Sequence, residues 1–435
     1  MTRFPPSLQD QVGTGTTNGR VLLIENSRFY AGMLASELRE RLGVDVVAVA
    51  SLAAAREALE THAATPFFLA LTGLVLPDAG GDQITGLLIA HRVPTVVVTG
   101  VYDETARQRL AEQPIIDYVL KDAPGNIDYL VWLVRRIERN RGITALVVDD
   151  LAETRAQVAD LLDLYGFRVR CAADAAAGLA ALSEDASIRL IVLEHDLPDA
   201  DGIEFIRRAR QAHARDMLSI VGTSAGGGPS LVARFLKHGA NDFVRKPFSR
   251  EEFFCRISQN VDNLELIGTL QDLATRDYLT GLPNRRHFFD QGTRALARTD
   301  APMTVAMLDL DRFKQINDHY GHDAGDAALR AVAAAVAQHA RAGDLVARFG
   351  GEEFCMLATE QSSEAAGASL EALREAIAEL RITYKQHTIR VTVSIGVCHR
   401  RDTDLHGMLT DADRLLYLAK ARGRNRVVCE SWVPA

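Results

Sequence analysis

The 435-residue sequence predicts an α/β protein of three domains: two doubly wound parallel domains in tandem, then a third α/β domain. Three observations predict it. A short apolar, β-branched run followed by polar residues and an amphipathic helical stretch occurs at residue 20 and again at residue 144. A long helical pattern starts after Pro247, and beyond Asp277 come an apolar strand and a diglycine hairpin with carboxylates at their ends. Length agrees, since roughly 150 residues per domain makes about three cores.

In chain order, Met1 to Gly19 is polar, lacks the apolar stretch of a secretion signal and reads as a flexible tail. The first domain, 20–140, opens on Arg20-Val-Leu-Leu-Ile24, continues through Phe67-Phe-Leu-Ala-Leu71 and Leu76-Pro77-Asp78, and closes on Tyr118-Val-Leu-Lys121. The second, 141–260, repeats this with Thr144-Ala-Leu-Val-Val148, Leu190-Ile-Val-Leu193, Leu197-Pro198-Asp199 and Phe243-Val-Arg-Lys246-Pro247. Pro77 and Pro198 stand 121 residues apart, a period too long for a solenoid, so the pattern is a domain duplication. Residues 248–276 carry apolar side chains at Phe253, Ile257, Val261, Leu264, Ile267, Leu270 and Ala274, a stripe along one helix face. Such a stripe can pack on its own sheet. Because it outruns one domain and leads directly into Asp277, a connecting helix that pairs with a second protomer is the preferred reading. The third domain is 277–435.

Hydrophobic residues at 47% and charged residues at 24% suit a soluble globular chain. A formal charge of -8 argues against broad electrostatic binding of nucleic acid or an anionic membrane, so an anionic ligand must be held by local donors. No run approaches the roughly 18 apolar residues of a membrane span. The five cysteines, Cys171, Cys255, Cys355, Cys398 and Cys429, lack CxxC spacing and read as reduced packing residues of a cytoplasmic protein with no zinc site.

The chemistry concentrates after Asp277. Arg348-Phe349 and Phe354 to Leu357 flank Gly350-Gly351, a hairpin whose tight turn needs positive φ and leaves the backbone bare to a phosphate. Glu352 follows that turn and Asp309 ends the strand Met303 to Leu308, so two carboxylates can meet at adjacent strand ends. Magnesium takes oxygen ligands while keeping waters and substrate phosphates, which suits such a pair together with a backbone carbonyl.

In order, the motifs are Asp277-Tyr-Leu-Thr-Gly-Leu-Pro-Asn-Arg-Arg286, Asp309-Leu-Asp-Arg-Phe-Lys-Gln-Ile-Asn317-Asp318, Gly321-His322-Asp323-Ala-Gly325-Asp326 and Arg348-Phe-Gly350-Gly351-Glu352-Glu353-Phe354. This series, over about 160 residues, resembles the GGDEF family of diguanylate cyclases, with GGEEF as its signature. The resemblance implies a nucleotidyl cyclase domain with a central, mainly antiparallel sheet. It implies magnesium, with manganese as the alternative, on Asp309, the carbonyl of Leu310 and Glu352. Asn317 and Asp326 match the family's guanine-reading pair, which makes GTP the substrate, and Phe313, Gly350 and Gly351 join them. Lys420 and Arg424 match its phosphate contacts, and their spacing of four predicts one helix face. Lys314 falls among the catalytic residues. Glu353 is the candidate proton acceptor, with a metal-bound water or a second metal-ligating role as competing readings. The implied reaction joins two GTP into cyclic di-GMP and pyrophosphate, so two domains must face each other in a homodimer. Arg341-Ala-Gly-Asp344 is similar to the family's RxxD inhibitory site, where cyclic di-GMP acts as feedback ligand; Arg374 is a secondary contact there.

Residues 20–140 and 141–260 resemble response-regulator receiver domains, the five-stranded CheY-like fold whose acidic pocket phosphorylates an aspartate at a strand end. In the first copy Glu25-Asn26 stands where an acidic pair is expected, and Gly73 occupies the acceptor position. That copy cannot form an acyl phosphate, and Thr99 and Lys121 survive in a domain expected to serve docking or dimer contact. The second keeps Asp149, Asp150, Thr223 or Ser224, and Lys246, with Glu194 at the acceptor position. Glu194 is expected to imitate the phosphorylated state and pair with Lys246; Asp196 as substitute acceptor and Glu194 as magnesium ligand compete with this. An upstream sensor or kinase is the implied partner. The alternative function for the whole chain is a catalytically silent cyclic di-GMP receptor that signals through protein contacts.

Overall fold

The structure is a computed structural model that describes residues 19–100, 109–110, 113–226, 228–298, 301–358, 362–400 and 404–429. The expected tail, up to residue 18, lies outside the described residues. The chain divides into two compact units, Met1–Gly268 and Thr269–Ala435.

The first unit holds two sheets. Strands β1 (Arg20–Ile24), β2 (Asp45–Val49), β3 (Phe67–Thr72), β4 (Thr95–Thr99) and β5 (Asp117–Leu120) form a parallel sheet of order β2-β1-β3-β4-β5. Strands β6 (Thr144–Val148), β7 (Arg168–Ala172), β8 (Ile188–Glu194), β9 (Ser219–Ser224) and β10 (Asp242–Arg245) repeat the order as β7-β6-β8-β9-β10. Every residue of β3 and β4 is buried, as expected of parallel strands covered on both faces. This order brings the C-terminal ends of the middle strands to one edge, where open parallel sheets place their ligands.

The Leu-Pro-Asp turns have a local purpose. Asp78 accepts from the N–H groups of Leu52 and Ala53 at 2.9 and 3.0 Å, and Asp199 from those of Ala175 and Ala176, both at 2.8 Å. Each carboxylate thereby caps an earlier helix, Leu52–Thr61 or Ala175–Glu184, and these backbone bonds hold both carboxyls below their ordinary range.

One apolar cluster joins the two sheets, combining Leu130, Val134 and Ile137 with Tyr165, Phe253 and Ile257. Arg136, its side chain 1% exposed, spans the seam to Asp262 and Glu265 at 2.7 Å each. The helix Arg250–Thr275 buries Phe253, Ile257, Val261 and Leu264, but leaves Ile267, Leu270 and Ala274 exposed. The expected stripe is therefore one face that is buried over its first half and exposed over its second. Its first half packs on its own unit, while Leu266, Ile267, Leu270 and Leu273 stand in solvent beyond it.

In the second unit β11 (Met303–Leu310) is the centre of a sheet ordered β12-β13-β11-β16-β17, all eight of its residues buried. The other strands are β12 (Leu345–Gly350), β13 (Glu353–Ala358), β16 (Val393–Arg400) and β17 (Val427–Cys429); β14 (Ile382–Tyr384) and β15 (His387–Ile389) form a separate hairpin. Every pairing in this sheet is antiparallel except β16 with β17. The helix Leu405–Ala421 lies on β16, where a Cβ on Gly396 would fall 2.1 Å from the backbone of Ala412 and Leu416. Glycine there lets the helix approach the sheet closely enough to bring Lys420 over the end of β11.

Among the described residues no helix is long and apolar enough to cross a membrane. Cys355, Cys398 and Cys429 are buried, whereas Cys171, on the edge strand β7, and Cys255, on the helix Arg250–Thr275, are exposed rather than packed.

Candidate active site

The site forms at one end of β11. Gly350 and Gly351, at φ 149 and 50, turn β12 into β13, and a Cβ on either would meet nothing within 4 Å. Glycine is needed there for the left-handed backbone, and the space above stays open. Asp309 pairs across the sheet with Glu353, and the Leu310 N–H donates to the Glu352 carbonyl at 3.3 Å, which sets three carboxylates around the ends of two strands. Asp309 is 6% exposed, and Lys420 Nζ lies 2.8 Å from its Oδ2. Burial pushes the Asp309 carboxyl up, Lys420 opposes this, and Glu352 and Glu353 add to the rise. Glu352 is half-buried and Glu353 exposed. Among the described residues no group of three or more His, Cys, Asp or Glu forms a ready metal cage.

Beside this cluster the helix Phe313–Tyr320 carries Phe313 inward and Lys314 outward. The Asn317 Oδ1 is buried without a hydrogen-bond partner, and a Cβ on Gly325 would lie 1.9 Å from it. Gly325 thus makes room for the amide, with Asp326 the next residue along.

Lys420 lies in the last turn of the helix Leu405–Ala421, but Arg424 does not share its helix face as the spacing predicts. Gly423 at φ 113 ends the helix, and Arg424 comes next in a left-handed turn at φ 63. Arg341 and Asp344 form a compact turn before β12: the Arg341 N–H donates to Asp344 at 2.9 Å and the Asp344 N–H to the Arg341 carbonyl at 3.0 Å. The Arg341 side chain is exposed. Arg374 is engaged by Glu371 at 2.8 Å, Glu375 at 3.3 Å and the Asn425 side chain at 2.8 Å.

In the second sheet Lys246 Nζ contacts Asp149 at 2.7 Å and Glu194 at 2.5 Å, with both carboxylates buried. Asp150 is exposed, and Thr223 and Ser224 bond elsewhere, to the Leu193 carbonyl at 3.3 Å and the Gly226 N–H at 3.1 Å. In the first sheet Lys121 pairs with Glu25 at 2.6 Å, and a Cβ on Gly73 would lie 3.3 Å from the Glu25 carboxylate. Each pocket lysine thus meets a glutamate, carried after β1 in one sheet and at the end of β8 in the other.

Three contributors escape a reading by motif. Arg348 donates twice to the Gly351 carbonyl, at 3.0 and 2.6 Å, and once to Asp277 at 2.9 Å, so it pins the glycine turn to the first motif. Asp311, 7% exposed, accepts from Thr392 and Ser394, both at 2.7 Å, and from the Asn425 N–H at 3.0 Å. The third is Asn425 itself. Both aspartates belong to motifs visible in the sequence, but their partners lie 71 to 114 residues away.

Residues 274–426 match the family model described as the diguanylate cyclase GGDEF domain, and residues 145–258 match that of the response regulator receiver domain. The chain is 29% identical over 302 residues to the response regulator PleD of Caulobacter vibrioides, covering 66% of each protein. It is 39% identical over 158 residues to the diguanylate cyclase DgcP of Pseudomonas aeruginosa, covering 35% of this chain and 24% of that one. The matches thus span just under two thirds of PleD and about a quarter of DgcP. A solved two-component system response regulator/GGDEF domain protein is 33% identical with a TM-score of 0.52, covering 57% of this chain and 99% of its own. The chain thus carries a receiver domain at 145–258 followed by a GGDEF domain at 274–426, and it belongs to the GGDEF family of response regulators.

Proposed function

We propose that the chain is a diguanylate cyclase that joins two GTP molecules into cyclic di-GMP and releases two pyrophosphates. The observation that carries the substrate is the buried Asn317 amide oxygen with no donor in the protein. Guanine offers an N1–H and a 2-amino group to such an acceptor and to the neighbouring Asp326, whereas adenine has no N1–H. Asp309, the Leu310 carbonyl and Glu352 would hold a magnesium ion, or manganese in its place. The donor set fits, because a buried carboxylate crowded by Glu352 and Glu353 is an excess of negative oxygen that a divalent cation balances. When bound, such an ion neutralises triphosphate charge and favours ionisation of the attacking hydroxyl. Lys420 and Arg424 take phosphate oxygens, Lys314 adds positive charge, and Phe313 lines the base side. Glu353 accepts the proton from a 3′-hydroxyl as its oxygen bonds the α-phosphorus of the second GTP and pyrophosphate leaves.

Each domain offers one guanine site, so the active form is a homodimer, paired through Leu266, Ile267, Leu270 and Leu273. Arg341, Asp344 and Arg374 bind product as feedback ligand, and the protein works in the cytoplasm under an upstream sensor or kinase. Incubation of the full chain with magnesium and GTP should yield cyclic di-GMP and pyrophosphate, with none from ATP; no turnover of GTP overturns the reading. Gly325→Ala drives a methyl group into Asn317, so the KM for GTP should rise by about tenfold or more at an unchanged melting temperature. A variant with native KM would remove Asn317 from base recognition.

The first sheet is read as a degenerate receiver that docks, and Glu194 as a built-in stand-in for a phosphoryl group. Burial lowers the Lys246 pKa, but Asp149 and Glu194 more than reverse this and hold it above the ordinary lysine value. The ammonium's contribution to stability is complete below the unfolded lysine pKa and fades only as pH rises through the higher folded one, so the clasp is intact at neutral pH. Glu194→Gln should lower both cyclase rate and dimer fraction by about fivefold, read by pyrophosphate release and light scattering. Unchanged values for both would eliminate the role.

A further inference from the structure

The segment after the helix Leu405–Ala421 is strained. Gly423, Arg424 and Asn425 are three consecutive left-handed residues, at φ 113, 63 and 45. Glycine and asparagine tolerate that region; a long side chain such as Arg424 adopts it only where its surroundings impose it. The Arg424 N–H closes back on the Ala419 carbonyl at 3.1 Å, which ends the helix but leaves the backbone at Asn425 unheld. Three side chains hold the turn. Asp311 takes the Asn425 N–H at 3.0 Å while itself anchored by Thr392 and Ser394, Arg374 donates to the Asn425 side-chain oxygen at 2.8 Å, and Arg426 donates to the Arg424 carbonyl at 3.1 Å.

We propose that Asp311 and Arg374 are positioning residues that act through Asn425, holding the left-handed turn so that Arg424 faces the triphosphate beside Lys420. The inference rests on the reading of Lys420 and Arg424 as phosphate contacts. Asp311 is rigid: it is buried, carries three donors and lies on the same chain segment as Asp309 and Leu310. Arg374 is adjustable. It reaches Asn425 from the helix Ser363–Glu379 while sharing its guanidinium with Glu371 and Glu375. Anything that draws Arg374 away frees the turn to relax, and affinity for GTP falls while the metal-ligating carboxylates keep their places.

The test uses the full chain and 3′-deoxy-GTP with magnesium, a nucleotide that lacks the attacking hydroxyl and so binds without reacting. Arg374→Ala should weaken its binding by about tenfold, as loss of a charge-assisted hydrogen bond predicts, and Arg374→Lys should restore most of it. Asn425→Gly keeps the positive φ at no strain but removes the amide, so it should weaken binding similarly at an unchanged melting temperature. The double variant should bind no worse than either single within about twofold, the mark of one shared path. With GTP, KM should move with these dissociation constants while kcat changes less than about twofold. Native affinity in both single variants, or losses that multiply in the double, overturns the inference and leaves the cyclase reading standing. A wild-type chain that binds neither GTP nor 3′-deoxy-GTP overturns both.

Discussion

Glu352→Ala should lower kcat for cyclic di-GMP formation by about 10²–10³-fold, as removal of one group that stabilises transition-state charge does elsewhere. The fold gives no reason for the variant to unfold. The main-chain carbonyl of Glu352 receives the Leu310 N–H, and that bond survives the substitution. Its side chain is half-buried at an open turn where the neighbouring glycines face empty space. Thermal melting should therefore stay native. Glu352→Asp keeps a carboxylate at the strand end and should retain most of the rate. Removing Glu352 also lessens the negative charge around Asp309, so binding of 3′-deoxy-GTP should lose much of its dependence on magnesium. A Glu352→Ala enzyme that turns over at the native rate would end the assignment of the metal to this end of β11.

Much of this site is legible in the sequence because its chemistry is local. The glycine pair announces its own positive φ, and Asp309 and Glu352 announce themselves as polar residues at the ends of apolar runs. The two parallel sheets are legible for a similar reason: strands buried on both faces are unbroken apolar runs, and the second sheet repeats the first. What stays hidden depends on distant partners. Nothing in Asp309-Leu-Asp311 says that the second aspartate faces Ser394 and Asn425 rather than a metal, because β16 and β17 had first to be placed beside β11. The Lys420 and Arg424 spacing misleads because period counting presumes that a helix continues, and Gly423 ends it. The helix Arg250–Thr275 is legible as an apolar stripe, but a spacing by threes and fours does not say where burial stops, which is between Leu264 and Ile267.

The two pocket lysines share one contact and differ in a second. In both sheets the carboxylate that follows the first strand, Glu25 or Asp149, reaches the lysine; in the second sheet Glu194 at the acceptor position reaches it as well, whereas the first has Gly73 there. In the second sheet a phosphoryl group would have to displace the pairs that Lys246 already makes.

Arg348→Ala should destabilise the second unit by about 2–3 kcal/mol, because it leaves the largely buried Asp277 carboxylate and the Gly351 carbonyl without the guanidinium that serves both. The same change should lower kcat by about 10²-fold, since the glycine turn loses the two hydrogen bonds that orient the Gly351 carbonyl. Arg348→Lys should fare little better in rate. One ammonium on a flexible stem cannot reproduce a planar fork that serves a carbonyl and a carboxylate at once. Burial raises the Asp277 carboxyl, but Arg348 and the Thr280 hydroxyl and N–H outweigh this and hold it below the ordinary range. The contribution of that pair to stability is present above the unfolded aspartate value of about 3.9 and lost only as pH falls through the depressed folded value. Wild-type protein and Asp277→Asn should therefore differ in urea midpoint at neutral pH and converge in strong acid. Equal midpoints at neutral pH, or an Arg348→Ala variant with native kcat, would mean that the turn holds its shape without the clasp. Convergence in acid with a lowered kcat in the variant would instead tie the first motif, at the end of the connecting helix, to the geometry of the phosphate-facing turn.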